Sequence, residues 1–77
     1  MQNTMKFAVS RVVGDEETIL KLFEGNQKDA AVSCAKQAAK EYPTGLIVLF
    51  QAAFTPEGSR ADERMRMYEA YRCGKGL

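Results

Sequence analysis

Residues 5–24 read MKFAVSRVVGDEETILKLFE, and this stretch predicts a β-hairpin. In its first half, apolar side chains alternate with polar or small ones, which is the period of a half-buried strand. The dipeptide Gly14-Asp15 suits a tight two-residue turn, and TILKLFE at 18–24 predicts the returning strand. Because the turn has two residues, it also fixes which residues of the two strands are paired.

This pairing assigns side chains to the two faces of the hairpin. If Val13 pairs with Glu16, then Phe7 and Val9 share a face with Leu20 and Leu22, and we expect a helix to cover that apolar face. The opposite face is mixed and carries Lys6, Ala8, Ser10, Ile19, Lys21 and Phe23.

Residues 27–41 change to the period of a helix. Asn26 is predicted as the N-cap, and Pro43 ends the helix because the residue before a proline avoids helical geometry. The apolar stripe is almost all alanine, which predicts close packing on the sheet, and consists of Ala31, Cys34, Ala35, Ala38 and Tyr42.

The most apolar segment, LIVLFQAAF at 46–54, predicts a central strand with contacts on both faces. We expect Val48 and Phe50 beneath the helix, and Ile47 and Leu49 on the opposite, open face. A type I turn follows at 55–58. Residues 59–73 fit either a helix capped by Ser59 and stopped by Gly74 or a strand. We favour the strand, since the turn predicts a hairpin and a central strand needs a second neighbour.

The order of elements is therefore ββαββ, an α+β fold. A right-handed crossover through the helix places the third strand beside the first. The result is a four-stranded antiparallel sheet in the order 2-1-3-4, with one helix on one face. We expect one domain over residues 1–77, with flexible ends at 1–4 and 74–77.

Composition narrows the function. The chain has 11 Lys and Arg against 10 Asp and Glu, a net charge of +1, and no histidine. A near-neutral charge argues against a protein whose main work is neutralising phosphates. The absence of histidine removes the commonest general base and metal ligand, and no glycine-rich phosphate loop is present. We expect a non-catalytic protein with no cofactor and no metal.

The sequence also favours a cytoplasmic location. Its longest apolar run falls far short of the ~20 residues that span a bilayer, and residues 1–4 are polar, unlike a signal peptide. Cys34 and Cys73 are expected to be free thiols in a reducing compartment.

The last predicted strand carries the most suggestive side chains, Arg64, Arg66, Tyr68 and Arg72. Arginine and tyrosine are enriched at protein-binding hot spots, and they also stack on bases and hold phosphates. Charged residues on an edge strand serve equally to prevent unwanted strand pairing.

The open face of the predicted sheet extends this candidate surface. Large apolar side chains there would form a contiguous patch, which often marks an interaction site, and a symmetric homodimer is one way to cover it. A helix at 59–73 would instead cover the patch from within. The candidate partner-binding residues are Arg64, Arg66, Tyr68, Arg72, Ile47, Leu49, Gln51 and Lys21.

In its size, its order of elements and its closing RMRMYEAYR at 64–72, the chain resembles small ββαββ proteins of bacterial phages and mobile elements. The resemblance implies action by binding, for example as an inhibitor of a host or defence protein. Two hypotheses follow. One is a protein-binding or regulatory module that uses the open sheet face. The other is a nucleic-acid-binding accessory protein that uses the Arg/Tyr row.

Overall fold

The computed structural model describes residues 3–74, apart from the side chains of residues 62 and 63. The four strands form one antiparallel sheet in the order β2-β1-β3-β4, which confirms the predicted fold and sheet order. Of the predicted flexible ends, residues 1–2 and 75–77 lie outside the described residues. The elements are β1 (Thr4–Val13), β2 (Glu16–Glu24), α1 (Lys28–Glu41), β3 (Leu46–Phe54) and β4 (Arg60–Arg72).

The β1–β2 hairpin follows the predicted register only near its turn. Val13 pairs with Glu16, and the register holds as far as the pair of Ser10 and Ile19. The next residue of β1, Val9, pairs with Lys21, so Leu20 is an extra residue in a β-bulge. A one-residue insertion reverses the faces of the residues beyond it.

Because of the bulge, two residues lie on the face opposite to the one predicted. Leu20 and Phe23 pack on the side of the sheet that α1 covers, hereafter the helix side. Leu22 packs on the opposite side, hereafter the far side. The prediction that placed Leu22 beneath the helix, and Phe23 away from it, is therefore wrong.

The faces of β3 are set by its pairing with β1, because β3 is apolar on both sides. Val9 pairs with Leu49, and directly opposed residues in a sheet share a face. Ile47 and Leu49 therefore lie on the helix side, where they are fully buried. Their predicted place on an open face is wrong, and the apolar patch proposed for a homodimer loses both residues.

The same pairing corrects two further predictions. Ala8 pairs with Phe50, so Phe50 and Val48 lie on the far side and not beneath the helix. An apolar strand gives no sign of its own phase, since either alternate set can face a helix.

The helix-side core depends on the alanines of α1. Buried alanines of α1 pack against buried residues of β1 and β3, and the small side chains allow the close approach that their spacing predicts. The N-cap is Gln27, not the predicted Asn26, and it makes no side-chain capping bond. The Gln27 side chain instead accepts a hydrogen bond from the Glu24 amide at 3.1 Å.

The far side holds a second core that no helix covers. Five residues form it and are buried: Ala8, Val48, Phe50, Ala52 and Phe54. The sheet is curled and so covers its own far side. The curl brings the β3–β4 turn close to β2, since a Cβ built on Gly58 would lie 3.8 Å from Leu22 Cδ1. Bulges between β1 and β2 and between β3 and β4 add local twist in this direction.

The close contact of α1 with the sheet can be tested with Ala35→Leu. Ala35 is fully buried, so the larger side chain overpacks the interface and we expect a loss of about 1–3 kcal/mol in the free energy of unfolding. Ala30→Leu, at an exposed position of the same helix, is the control and should change stability by less than about 0.5 kcal/mol. Urea unfolding of both variants measures the difference. Equal midpoints would contradict the packing.

The far-side core can be tested with Phe54→Ala. Phe54 has no exposed surface, so its truncation should cost about 3–5 kcal/mol, most of the stability of a domain this small. Met67→Ala is the control, because Met67 pairs with Phe50 but is 58% exposed. Thermal unfolding should show a large loss for Phe54→Ala alone, whereas an open far side would make both changes mild.

Candidate functional site

The two long sides of α1 differ in charge. The side that faces β4 carries Lys28, Lys36 and Lys40, whose spacings of eight and four residues place them one above another along the helix. The side that faces β2 carries Gln37 and Glu41, and the Gln37 amide donates to the Glu41 carboxylate at 3.3 Å. The lysines are therefore collected along one edge of the helix.

A groove runs between this edge of α1 and β4, and we call it the basic groove. Lys36 and Tyr71 line both of its parts, which makes them continuous. The first part, about 330 Å³, is lined by Lys28, Val32, Lys36, Tyr68, Glu69 and Tyr71. The second, about 570 Å³, is lined by Lys36, Ala39, Lys40, Ala70, Tyr71, Arg72 and Gly74. Four lining residues are basic and one is acidic.

Tyr68 stands at the end of the basic groove nearest the start of α1. Its ring contacts that of Phe7, with centroids 5.4 Å apart. Lys28 Nζ lies 4.7 Å from the Tyr68 centroid and the Arg66 guanidinium 5.3 Å from it. The Tyr68 hydroxyl donates to Gln51 Oε1 at 3.2 Å. One half-buried ring thus holds a cation of the helix and a cation of β4 close together, each contact contributing about 0.5–1 kcal/mol.

Beyond Tyr68 lies a second, shallower depression of about 370 Å³, which we call the shelf. Met5 pairs with Ala53, and Gln51 pairs with Arg66, so its floor is built from paired residues of neighbouring strands. Met5 is 51% exposed. The shelf is lined by Met5, Gln51, Ala53, Arg64, Met65 and Arg66. Together, the groove and the shelf bring six basic side chains to one surface.

Four acidic side chains lie along β2 and its turn, at the other edge of the sheet. Asp15, Glu16 and Glu17 lie at the β1–β2 turn, and the Ser10 hydroxyl donates to Glu17 at 2.9 Å. In β2, Glu24 forms an ion pair with Lys6 of β1 at 3.5 Å. β4 itself carries four arginines against three acidic residues, so the positive charge of the basic groove comes mainly from the lysines of α1.

Tyr71 contributes a neutral phenol to the basic groove. Burial, and then the nearby Glu69 carboxylate, raise the pKa of Tyr71 above its ordinary value of 10.0. The phenol stays protonated at neutral pH and adds no negative charge to the groove.

This pKa shift can be tested by following phenol ionisation through ultraviolet absorbance. In the wild type one phenol should titrate above pH 10.0, and Tyr71→Phe should remove that step. Glu69→Gln should move the Tyr71 pKa only partway back, because burial remains the larger cause. Glu57→Gln, in the β3–β4 turn, is the control.

The raised pKa of Tyr71 also makes the stability of the fold depend on pH. A raised pKa means that the folded state holds the proton more tightly than the unfolded state. The resulting stabilisation is complete below pH 10.0 and is lost as the pH rises through the raised Tyr71 value. A Tyr71 step at or below pH 10.0 would contradict the raised pKa.

The structure separates the predicted site residues into groups. It brings together Arg64, Arg66, Tyr68 and Gln51, and it places Arg72 at the other end of the basic groove. Ile47 and Leu49 are buried beneath the helix and lie outside this surface. Lys21 lies on the opposite edge strand, β2, with its Nζ 5.2 Å from the Phe23 centroid.

Sequence reasoning missed the three lysines of α1. From the sequence alone, Lys36 and Lys40 lie on the solvated side of an amphipathic helix, opposite the alanine stripe. Their spacing with Lys28 was a visible signal, but its meaning depended on which strand would lie beside that edge of the helix.

Comparisons with protein-family models, with curated proteins and with solved structures each found no match. Among the described residues, no group of three or more cysteine, aspartate or glutamate side chains is placed to hold a metal ion. In that same part of the chain, no helix has the length and apolar character needed to cross a membrane.

Proposed function

We propose that this protein is a non-catalytic nucleic-acid-binding module, and that the basic groove holds the phosphate backbone. The observation that carries the proposal is the alignment of Lys28, Lys36, Lys40 and Arg72 along one continuous groove. Cations that are set out along a line complement the repeated negative charges of a phosphate backbone. A cytoplasmic location, expected from the sequence, fits such a ligand.

The first hypothesis, a protein partner or second copy on the open sheet face, loses its main support. That face was expected to expose Ile47 and Leu49, which are fully buried. The large apolar residues of the far side, Phe50 and Phe54, are also fully buried. Exposed large apolar residues remain, among them Met65 and Met67 of β4, but the patch that was predicted around Ile47 and Leu49 does not exist, and the helix lysines lie beside the Arg/Tyr row.

The groove recognises charge and shape more than sequence. Lysine ammonium groups make flexible, single-point contacts with phosphate oxygens, whereas the Arg72 guanidinium can make two parallel hydrogen bonds. Between the lysines and Arg72, the groove is lined by the neutral Tyr71 and, among the described residues, by one carboxylate, that of Glu69. We therefore expect weak dependence on base sequence and strong dependence on salt.

The test is fluorescence anisotropy with a labelled oligonucleotide of about 12 nucleotides over a range of salt concentrations. If the four basic residues of the groove contact phosphates, log K should fall with log salt with a slope of about −3 to −4. Lys36→Glu should weaken binding about tenfold and reduce the slope by about 0.7 to 1, because Lys36 lines both parts of the groove.

The matched control is Lys21→Glu. It makes the same change of charge at an exposed lysine on the other edge of the sheet, so it should bind like the wild type. Equal losses in the two variants would mean that only net charge matters and would contradict a groove. If a polyglutamate peptide bound in a Lys36-dependent way and the oligonucleotide did not, the groove would belong to an acidic protein partner.

A further inference from the structure

The shelf extends the basic groove into a place for unpaired bases, and we infer that the ligand of this protein is single-stranded. The inference rests on the proposed function and adds the strandedness of the nucleic acid. Its motivation is a change of chemistry along one surface. The cations of the groove are mainly lysines, whereas the shelf combines an apolar floor with two guanidinium groups.

The composition of the shelf suits a base better than a phosphate. Met5, Ala53 and Met65 offer apolar contact, and the flexible thioether of methionine adapts to flat aromatic surfaces. Arg64 and Arg66 line the same depression, and guanidinium planes stack on bases as well as holding phosphates. A phosphate alone would gain nothing from the methionines.

Tyr68 joins the two surfaces and sets their relative position. Lys28, in the groove, and Arg66, on the shelf, lie over its ring. Its hydroxyl donates to Oε1 of Gln51, which leaves the Nε2 end of that amide as the hydrogen-bond donor of this shelf residue. A chain whose phosphates follow Lys28 and Lys36 can therefore turn a base toward Gln51 at the first step beyond Tyr68.

This arrangement discriminates against a duplex. Bases of a duplex are stacked on one another and paired, so their flat faces do not reach a shelf unless the strands separate. A single strand exposes its bases without that cost, and contact with bases contributes independently of sequence. The phosphate contacts of the groove, by contrast, are available to either form.

The experiment compares a single strand with a duplex of the same sequence by anisotropy, over a range of salt concentrations. We expect the wild type to bind the single strand at least about tenfold more tightly. Met5→Ser should lower affinity for the single strand about three- to fivefold while leaving its salt slope unchanged, because no charge is lost. Affinity for the duplex should not change.

Two controls guard the result. Met67→Ser removes an equally exposed methionine, 58% exposed and paired with Phe50 on the far side, and should bind like the wild type. Ala53→Gln fills the shelf from a different strand and should also lower affinity for the single strand. It tests the shelf independently if Met5→Ser fails to fold. A fluorescent purine analogue in the single strand should change its emission on binding to the wild type and change less with either shelf variant.

The outcomes separate the two proposals. Equal affinity for single strand and duplex, with binding still sensitive to Lys36→Glu, would overturn the inference about strandedness and leave the proposed function standing. Single-strand preference that survives both Met5→Ser and Ala53→Gln would also overturn the role of the shelf. An absence of binding to both forms at low salt would overturn the proposed function itself.

Discussion

The structure depends on one constraint, which is that β3 is apolar on both faces while a single helix is available to cover them. Ile47 and Leu49 are buried against α1, and Phe50 and Phe54 point the other way yet are equally buried. Leaving two phenylalanines in water would forgo about 1.5–3 kcal/mol each. The sheet resolves the conflict by curling, so that its far side becomes a second core.

The curl and its bulges also shape the candidate site. In β4, Glu69 pairs with Leu49 and Met67 pairs with Phe50, so Tyr68 is the extra residue of a bulge. The extra residue lets Tyr68 pack with the helix-side core, where it contacts Lys28, while its neighbours keep their places in the ladder. The irregularity that helps the sheet curl therefore also joins the groove to the shelf, in keeping with the frequent placement of bulges beside functional sites.

The fold also decides where the charged side chains lie on the surface. Over the whole chain the basic and acidic residues nearly cancel, which by itself argues against nucleic acid. The fold places the helix lysines beside the arginines of β4 and leaves the acidic β1–β2 turn at the other edge. At physiological ionic strength, screening acts over about 8 Å, so a ligand in the basic groove is affected mainly by the local cations and little by the distant carboxylates.

Apart from residues 59–73, which fit a strand or a helix, the sequence by itself determined the elements and their order, because these follow from local periodicity and turn chemistry. With a strand at 59–73, the handedness of the crossover also predicted the sheet order. The sequence also determined the alanine stripe and drew attention to Arg64, Arg66 and Tyr68. Only the tertiary structure decided the phase of β3, since Leu46–Phe54 is apolar at almost every position and takes its faces from the partner strand. The tertiary structure also decided the bulge at Leu20, which no local turn signal predicts. It decided as well that Lys36 lies beside β4, because contacts between residues distant in sequence are fixed by packing and not by local pattern.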